Sequence, residues 1–303
     1  MLAPVIIFVY NRPEHTKKTV EALANNFLAK ETEVFIYSDS TKNDSNIELV
    51  NETRNYIDTL PNLNYFKNIK IIKAEKNKGL ANSIIGGVSE IIDKFGKVIV
   101  VEDDLISSND FLRYMNTALD FYKRNKSIWS ISGFNIPIEI PNNYNHDVYL
   151  SYRACSWGWA TWKDRWAKVD WDVSDYCGFK NDKKLREKMN RGGRDMANML
   201  DAQMEGKIDS WAIRWCYSQS KLDMVTVYPV KSRIKNIGLD GTGTHSGTSS
   251  RYDFEVSQDN GICNFENVEL NKLIVKRFQE HYMKLHDYYI FRFKKMVKKL
   301  IGR

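Results

Sequence analysis

The alternation of two hydrophobic periods over the first hundred residues is the strongest constraint on the fold. Four short runs rich in Val, Ile and Phe have the composition of buried parallel strands. Three longer stretches between them carry apolar residues at helical spacing. This β/α/β/α order predicts an α/β protein with an open, mostly parallel sheet flanked by helices. The predicted strands are Val5–Tyr10, Glu33–Ser38, Ile69–Ala74 and Lys97–Glu102, and the predicted helices are Glu14–Leu28, Ile47–Leu60 and Leu80–Phe95.

Polar residues follow each predicted strand at the point where it ends. Ligands of open parallel sheets bind beyond the carboxyl ends of the strands. An Arg, an Asp, a Lys and a carboxylate pair would therefore line one rim, which suits a nucleotide bound with its metal ion. Because polar residues end most strands, this rim alone is weak support. The rim residues are Asn11 and Arg12, Asp39 and Ser40, Asn77, Lys78 and Gly79, and Asp103 and Asp104.

Three adjacent carboxylates, Glu102, Asp103 and Asp104, stand at the end of the fourth strand. Carboxylates in contact repel each other, and a hard divalent cation reverses that repulsion while bridging the phosphates of a nucleotide. The alternative is an acidic group at the start of the next helix, where residues 107–109 are potential caps. Capping accounts for Asp110 but not for three acids at a strand end, so metal or nucleotide binding is the favoured reading.

The positive charge is concentrated in the C-terminal tail. The formal net charge is +7, and residues 279–303 hold seven Lys and Arg against two acidic residues. Basic residues gathered in one tail, rather than across a face, argue against nucleic-acid binding. Residues 282–303 also place aromatic and aliphatic residues at helical spacing, which is typical of a basic amphipathic helix on an anionic membrane surface. A helix docked on the body with a solvated lysine face is the alternative.

The location is predicted as cytoplasmic, with the tail able to hold the protein at the inner face of the membrane. No signal-peptide pattern and no membrane-spanning apolar run is visible in the sequence. The four cysteines are widely spread and are expected to be buried free thiols in a reducing compartment.

The second half of the chain is predicted to be helical and rich in aromatic residues. Helical signals cover Asn109–Arg124, Lys183–Met204 and Ser210–Lys221, and a β-like run covers 127–132. The stretch SYRACSWGWATWKDRW at 151–166 holds four tryptophans, which we interpret as core more than as a sugar platform. Trp211, two residues after Asp209, is the ring we assign to stacking on a pyranose.

Three motifs resemble the nucleotide-sugar half of a GT-A glycosyltransferase: PVIIFVYNRPEHTKKTVEAL at the amino end, NKGLANSI, and VIVVEDDL, whose acids correspond to that fold's DXD motif. More narrowly, EDD followed by CSWGWATWKDRW and KIDSWAIRW resembles the inverting N-acetylglucosaminyltransferase I-like branch. The resemblance covers roughly residues 4–250. It implies a nucleotide-sugar half at 1–104, an acceptor-binding half at 105–262 and a helical tail at 263–303.

The resemblance also implies roles for individual residues. Asp104 would contact the metal, Asp103 the metal or the ribose, with Glu102 in support. Arg12 would meet the diphosphate, and Asp39 would accept a hydrogen bond from uracil. The further donor-binding candidates are Tyr10, Asn11, Lys78, Gly79, Asn82 and Trp211.

Asp209 lies at the position of the branch's catalytic base. This chain departs from the branch in having Ser210 where a second acid is common. Glu205, four residues before Asp209, would share a helical face with it and is the alternative base.

His245 lies in the Gly-rich stretch 236–250 and is a candidate metal ligand, with Asp240 as an alternative. The alternative is a surface histidine that binds no metal. The glycines would permit a lid that excludes water from the donor, and no Walker-type phosphate motif is present.

The sequence therefore predicts an inverting glycosyltransferase that needs Mn or Mg. It would move a hexose or N-acetylhexosamine from a UDP-sugar to a glycan or lipid-linked glycan. The alternatives are a nucleotidyltransferase acting on a sugar phosphate, and a non-catalytic module that binds nucleotide sugars or glycans.

Overall fold

The computed structural model describes residues 1–241, 252, 256, 261–284 and 287. Within them, strands and helices alternate in the first half and helices dominate the second. The strands are β1 (Val5–Val9), β2 (Glu33–Ser38), β3 (Asn68–Lys73), β4 (Lys97–Glu102), β5 (Leu105–Ser107), β6 (Ile128–Ser132), β7 (Val148–Ser151), β8 (Trp159–Trp162), β9 (Val225–Pro229) and β10 (Ile234–Asn236). The α-helices are α1 (Pro13–Ala24), α2 (Ile47–Thr59), α3 (Leu80–Phe95), α4 (Phe111–Tyr122), α5 (Lys163–Trp166), α6 (Tyr176–Asn181), α7 (Lys183–Met189), α8 (Met196–Met204), α9 (Trp211–Lys221) and α10 (Lys272–Tyr282).

The central sheet has eight strands in the order β3-β2-β1-β4-β8-β6-β9-β7. Strands β3, β2, β1 and β4 run parallel, as the sequence predicts. Strand β8 then enters antiparallel between β4 and β6. The predicted α/β class with a large, mostly parallel sheet and flanking helices is confirmed, and the second half continues the same sheet.

One predicted helix ends earlier than its periodicity indicates, and another is interrupted. Helix α1 stops at Ala24, because the buried Asn26 side chain accepts from the backbone N–H of Leu112 and donates to Ser107 Oγ. The stretch predicted as one helix over 183–204 is broken after Met189. After this break, the backbone at Gly192 passes close to the backbone of Tyr152. A Cβ on residue 192 would lie 2.6 Å from the carbonyl oxygen of Tyr152, so this position requires glycine.

A two-stranded antiparallel ribbon joins β5 to β10 and connects distant parts of the chain. Strand β5 directly follows Asp103 and Asp104, and β10 leads into residues 237–241. Below the ribbon, Arg233 Nε lies 3.1 Å from Asp110 Oδ2, and both side chains are buried. The ribbon therefore fixes the late segment beside the acidic turn.

Most of the tryptophans pack in the core against one face of the sheet. Trp159 stacks on Trp166 at 5.7 Å and lies 4.3 Å from Trp215, measured between ring centroids. This agrees with the core interpretation of the aromatic stretch.

Helix α10 docks on the second half through Phe278, which packs against Tyr228. Most of the predicted basic tail helix at 282–303 lies outside the described residues, so its amphipathic form stays a prediction, as does the division at residues 104 and 262. Among the helices that the structure describes, none is long and apolar enough to cross a membrane.

The four cysteines are free thiols. Cys155 and Cys216 are buried and Cys263 is half-buried, but Cys177 on α6 is exposed. The expectation of burial is therefore wrong for Cys177, because the short helix α6 turns this side chain outward while it buries Phe179.

Candidate active site

A cleft of about 670 Å³ lies between the carboxyl ends of the parallel strands and the second half of the chain. The strands bring to it side chains that are up to a hundred residues apart. Of the predicted site residues, ten line the cleft: Tyr10, Asn11, Arg12, Asp39, Gly79, Glu102, Asp103, Asp104, Asp209 and Trp211.

The acidic turn between β4 and β5 is held by Arg12. Nη2 of Arg12 lies 2.7 Å from Oδ1 of Asp103 and 2.8 Å from Oδ2 of Asp104. The Tyr10 backbone N–H donates to Asp103 Oδ2 at 3.4 Å, and the Thr19 hydroxyl donates to the Asp103 carbonyl at 2.7 Å. Residues just after β1 and on α1 thus fix both carboxylates at the rim of the sheet.

The side chains at the acidic turn provide part of a binding site for a divalent cation. Two carboxylate oxygens already converge on one cationic nitrogen, which is the arrangement a hard metal ion needs. Nη1 of Arg12 is buried, has no hydrogen-bond partner among the described residues, and lies against the backbone of Gly238. In the described part of the chain, no group of three or more His, Cys, Asp or Glu side chains is arranged to hold a metal. Further ligands would have to come from a bound nucleotide or from elsewhere in the chain.

Burial raises the pKa values of Glu102 and Asp103. The pKa of Glu102 rises to about 8, through loss of solvation and then through the charges of Asp104 and Asp103. The pKa of Asp103 rises to about 6, again through burial first, with Arg12 opposing the shift and Asp104 adding to it. One Arg12 guanidinium therefore does not offset the cost of three neighbouring carboxylates, and a divalent cation would offset more of it.

Asp39 organises the loop after β3. Its two oxygens accept hydrogen bonds from the backbone N–H groups of Ser40, Lys78 and Gly79 at 2.8–3.2 Å. Asn77 donates to it as well, at 3.2 Å. The contact to uracil stays a prediction, and Asp39 has a second role in shaping the rim.

Lys78 and Asn82 do not line the cleft. Both are exposed, and Asn82 donates to the carbonyl oxygen of Lys78 at 2.9 Å. The amide of Asn82 therefore forms a hydrogen bond at the start of α3. The positions of these two side chains do not support the contacts with the nucleotide-sugar donor that were predicted for them.

The two candidate bases are not on one helix. Helix α8 ends at Met204, Glu205 follows in a turn, and Asp209 lies just before α9. The expectation of a shared helical face is wrong, because Gly206 adopts φ 68° and ends the helix. Asp209 is exposed in the cleft, whereas Glu205 pairs with Lys207 outside it.

The comparison with known proteins assigns the family. The profile described as glycosyl transferase family 2 matches residues 5–180. The chain belongs to glycosyl transferase family 2. The predicted GT-A glycosyltransferase domain is thereby confirmed.

One relative is similar to this family 2 chain over a short segment. It is 32% identical over 104 residues to an alpha-1,3-mannosyl-glycoprotein 2-beta-N-acetylglucosaminyltransferase of Arabidopsis thaliana. That match covers 31% of the chain and 22% of the relative, so the chain matches about a fifth of the relative's length.

Two solved structures are also similar to this family 2 chain. TarS of S. aureus, residues 1–349, has a TM-score of 0.41 at 13% identity, covering 77% of this chain and 60% of that one. The galactosyltransferase LgtC, in complex with donor and acceptor sugar analogues, has a TM-score of 0.37 at 10% identity, covering 71% and 69%.

Several cleft residues of this family 2 domain were not assigned to the site from the sequence. Tyr37, Lys42 and Ser83 line the donor side, and Trp157 and Met199 line the other side. Tyr37 and Ser83 belong to regular elements, where alternation alone does not say which face meets a cleft. The period of β2 could have placed Tyr37, since it is the residue before the last of a rim strand and precedes Asp39 by two positions.

Trp211 is less available to a sugar than predicted. It is 3% exposed and packs on Trp159 and Trp215, with centroids 5.4 and 5.6 Å apart. Little of its surface can meet the cleft, because α9 begins at this residue and the ring packs into the core. Trp157 is half-buried and lines the same wall.

The late segment reaches the site through residues 236–240. The Ile237 N–H donates to the Asp104 carbonyl at 2.8 Å, and Asp240 Oδ2 lies 3.2 Å from His15 Nε2. Asp240 thus faces α1, and its role as a metal ligand stays a prediction. His245 lies outside the described residues.

Proposed function

We propose that the protein is an inverting, metal-dependent glycosyltransferase. It would transfer a hexose or N-acetylhexosamine from a UDP-sugar to a glycan or lipid-linked glycan. The observation that carries this proposal is the position of Asp103, Asp104 and Asp209 around one cleft of a family 2 domain.

On the donor side, Asp103 and Asp104 would hold Mg or Mn. The ion supplies Lewis-acid stabilisation of the negative charge that grows on the departing diphosphate. Arg12 already touches both carboxylates, so its positive charge lies beside the position proposed for the metal and the diphosphate. Burial of this group strengthens each of these charge interactions.

On the acceptor side, Asp209 would accept the proton of the attacking hydroxyl. A sugar hydroxyl is a poor nucleophile at neutral pH and needs a carboxylate within hydrogen-bond reach. Asp209 is exposed in the cleft, and its ion-pair contact within the described part of the chain is a long one, 3.9 Å to Arg214 Nη2. A single displacement with one base inverts the anomeric centre and requires no covalent nucleophile.

The alternatives predicted from the sequence are weaker. A nucleotidyltransferase usually has a glycine-rich phosphate loop after its first strand, whereas this turn reads Asn11-Arg12-Pro13-Glu14. The family assignment also favours glycosyl transfer. A non-catalytic binding module differs only in turnover, so an assay decides between it and an enzyme.

The decisive experiment uses three matched carboxylate variants with a panel of UDP-sugars and Mn²⁺. We expect Asp104→Asn to lose metal-dependent donor binding in thermal-shift measurements. Asp209→Asn should keep donor binding and lose transfer. Glu205→Gln, outside the cleft, should keep both and serves as the control. Donor binding that survives chelator and Asp104→Asn would overturn the metal assignment, and transfer by Asp209→Asn would overturn the base.

Membrane association of residues 282–303 is part of the same proposal. Lys294, Lys295, Lys298 and Lys299 interleave with apolar residues there. We expect the full chain to sediment with vesicles containing phosphatidylglycerol and not with phosphatidylcholine alone. Replacing these four lysines with Gln should abolish sedimentation, and binding that survives the change would contradict the anchor.

A further inference from the structure

The two walls of the cleft differ in chemistry. The donor wall presents Arg12, Asp39 and the acidic turn. The opposite wall, which we call the acceptor wall, is formed by Ser156, Trp157, Met199 and residues 208–212. Among the described residues of the acceptor wall, the one charged side chain is Asp209, and the rest of the wall is apolar or carries a hydroxyl.

We propose that the acceptor is a neutral pyranoside whose ring stacks on Trp157 with a hydroxyl directed at Asp209. This inference rests on the proposed function and specifies its acceptor. A pyranose has an apolar face of C–H groups that matches an indole ring, and a rim of hydroxyls that a carboxylate can accept from. An anionic sugar would bring a second negative charge beside Asp209. The described cation next to this carboxylate, Arg214, lies 3.9 Å from Asp209 Oδ1 and donates its other nitrogens to the carbonyl oxygens of Ser210 and Trp171, so its charge and donors are already engaged.

Trp157 is built as a rigid platform. Its ring meets Phe134 edge-to-face at 4.7 Å and Tyr252 edge-to-face at 5.2 Å, measured between centroids. Its backbone N–H contacts Cys155 Sγ at 3.4 Å. A half-buried ring fixed on two sides loses little conformational entropy when it binds, which favours a recognition role over a mobile one.

Helix α10 supports the acceptor wall from behind. Tyr252, which touches Trp157, has its hydroxyl 3.0 Å from His281 Nε2. The Arg153 guanidinium lies 3.7 Å from the ring centre of Tyr282 and 3.7 Å from Met199 Sδ on the acceptor wall. Residues 272–282 thus belong to the framework of the acceptor side.

The test compares aryl pyranosides that differ in one charge. The acceptors are p-nitrophenyl β-glucoside, β-galactoside and β-N-acetylglucosaminide against p-nitrophenyl β-glucuronide. Binding to the protein with UDP and Mn²⁺ is measured by saturation-transfer NMR, which needs no turnover. We expect at least one neutral pyranoside to bind at least about tenfold more tightly than the glucuronide, corresponding to about 1.4 kcal/mol.

Variants of the platform complete the test. Trp157→Ala should weaken binding of the neutral pyranoside about tenfold or more and leave UDP binding unchanged, whereas Trp157→Phe should stay within about threefold of wild type. Trp171→Ala is the matched control, because this tryptophan is also half-buried but does not line the cleft.

The outcomes separate this inference from the proposed function. Equal or tighter binding of the glucuronide, or wild-type binding by Trp157→Ala, overturns the neutral-pyranoside assignment while metal-dependent UDP binding still stands. If the wild-type protein does not bind UDP in the presence of Mn²⁺, the proposed function itself is overturned.

Discussion

Gly238 lies directly against Asp104. A Cβ added to Gly238 would stand 2.0 Å from Asp104 Oδ2 and 2.7 Å from Arg12 Nη1. The backbone of the late segment therefore packs on the carboxylate–guanidinium pair with no room for a side chain. This contact joins residues 134 positions apart in the chain and makes the late segment part of the metal site that we propose.

We predict that Gly238→Ala weakens binding of Mn²⁺ and UDP and destabilises the protein by about 1–3 kcal/mol, because Asp104 or the segment must shift. Thermal unfolding and titration with Mn²⁺–UDP measure the two effects. Gly86→Ala is the control, since an added Cβ on this helical residue meets nothing within 4 Å. It should be neutral or stabilising by up to about 1 kcal/mol. Unchanged Mn²⁺–UDP affinity in Gly238→Ala would contradict the close packing.

We predict that Arg12→Gln makes the metal-free protein less stable and more responsive to metal. Without the guanidinium, Asp103 and Asp104 face each other uncompensated, and the metal no longer competes with Arg12. The melting temperature without metal should fall, and Mn²⁺ alone should raise it more in the variant than in the wild type. Arg124→Gln, at an exposed position, is the control. Equal Mn²⁺ shifts in variant and wild type would show that Arg12 does not compete for these carboxylates.

We predict that the metal-free protein loses stability as pH rises from 5 to 8. Because burial raises the pKa of Glu102 to about 8 and that of Asp103 to about 6, the folded protein binds protons that the unfolded chain releases near pH ~4. The stability contributed by the protonated acids is complete below pH ~4 and is lost as pH rises through about 6 and 8.

The effect is measured as the melting temperature of the protein in the presence of a chelator at several pH values between 5 and 8. The decrease should be smaller in Glu102→Gln than in the wild type, while Glu48→Gln, an exposed acid, should keep the wild-type slope. Mn²⁺ should raise the melting temperature more at pH 8 than at pH 5, because it binds the deprotonated carboxylates. A Glu102→Gln profile parallel to wild type would rule out this source of pH dependence.

We predict that Arg233→Met destabilises the protein by about 3–5 kcal/mol, because it removes the buried guanidinium that pairs with the buried Asp110 carboxylate. Arg233 also lies 4.3 Å from the ring centre of Tyr114. Urea unfolding gives the change in the free energy of unfolding. Lys73→Met breaks the exposed pair with Asp58 and should cost about 0–1 kcal/mol. Since Arg233 anchors the β5–β10 ribbon, a cost as small as that of Lys73→Met would show that the ribbon does not depend on this pair.

The first half of the fold could be predicted because its signals are local. A strand covered on both faces is a continuous apolar run, so β1, β2 and β4 can be predicted from a few neighbouring residues. Their carboxyl ends share one edge of the sheet, which is why Asp39, Asp103 and Asp104 could be placed near one another. The predicted end at Met204 agrees with α8, and Gly206 is the local signal that separates Glu205 from the element that carries Asp209.

The second half of the site could not be predicted in this way. Whether a tryptophan faces the core or the cleft depends on the register of its element against elements elsewhere in the chain. Trp211 and Trp157 are both aromatic residues near polar neighbours in the sequence, yet the start of α9 buries one, and the approach to β8 leaves the other on the cleft wall.

The sequence by itself determined the α/β alternation and the acidic turn at the end of β4, because both depend on residues adjacent in the chain. Only the tertiary structure decided that Arg12 bridges Asp103 and Asp104, and that Gly238 closes over Asp104. These contacts join residues about 90 and 130 positions apart, and their geometry depends on strand order and packing, to which no local pattern of hydrophobicity is sensitive.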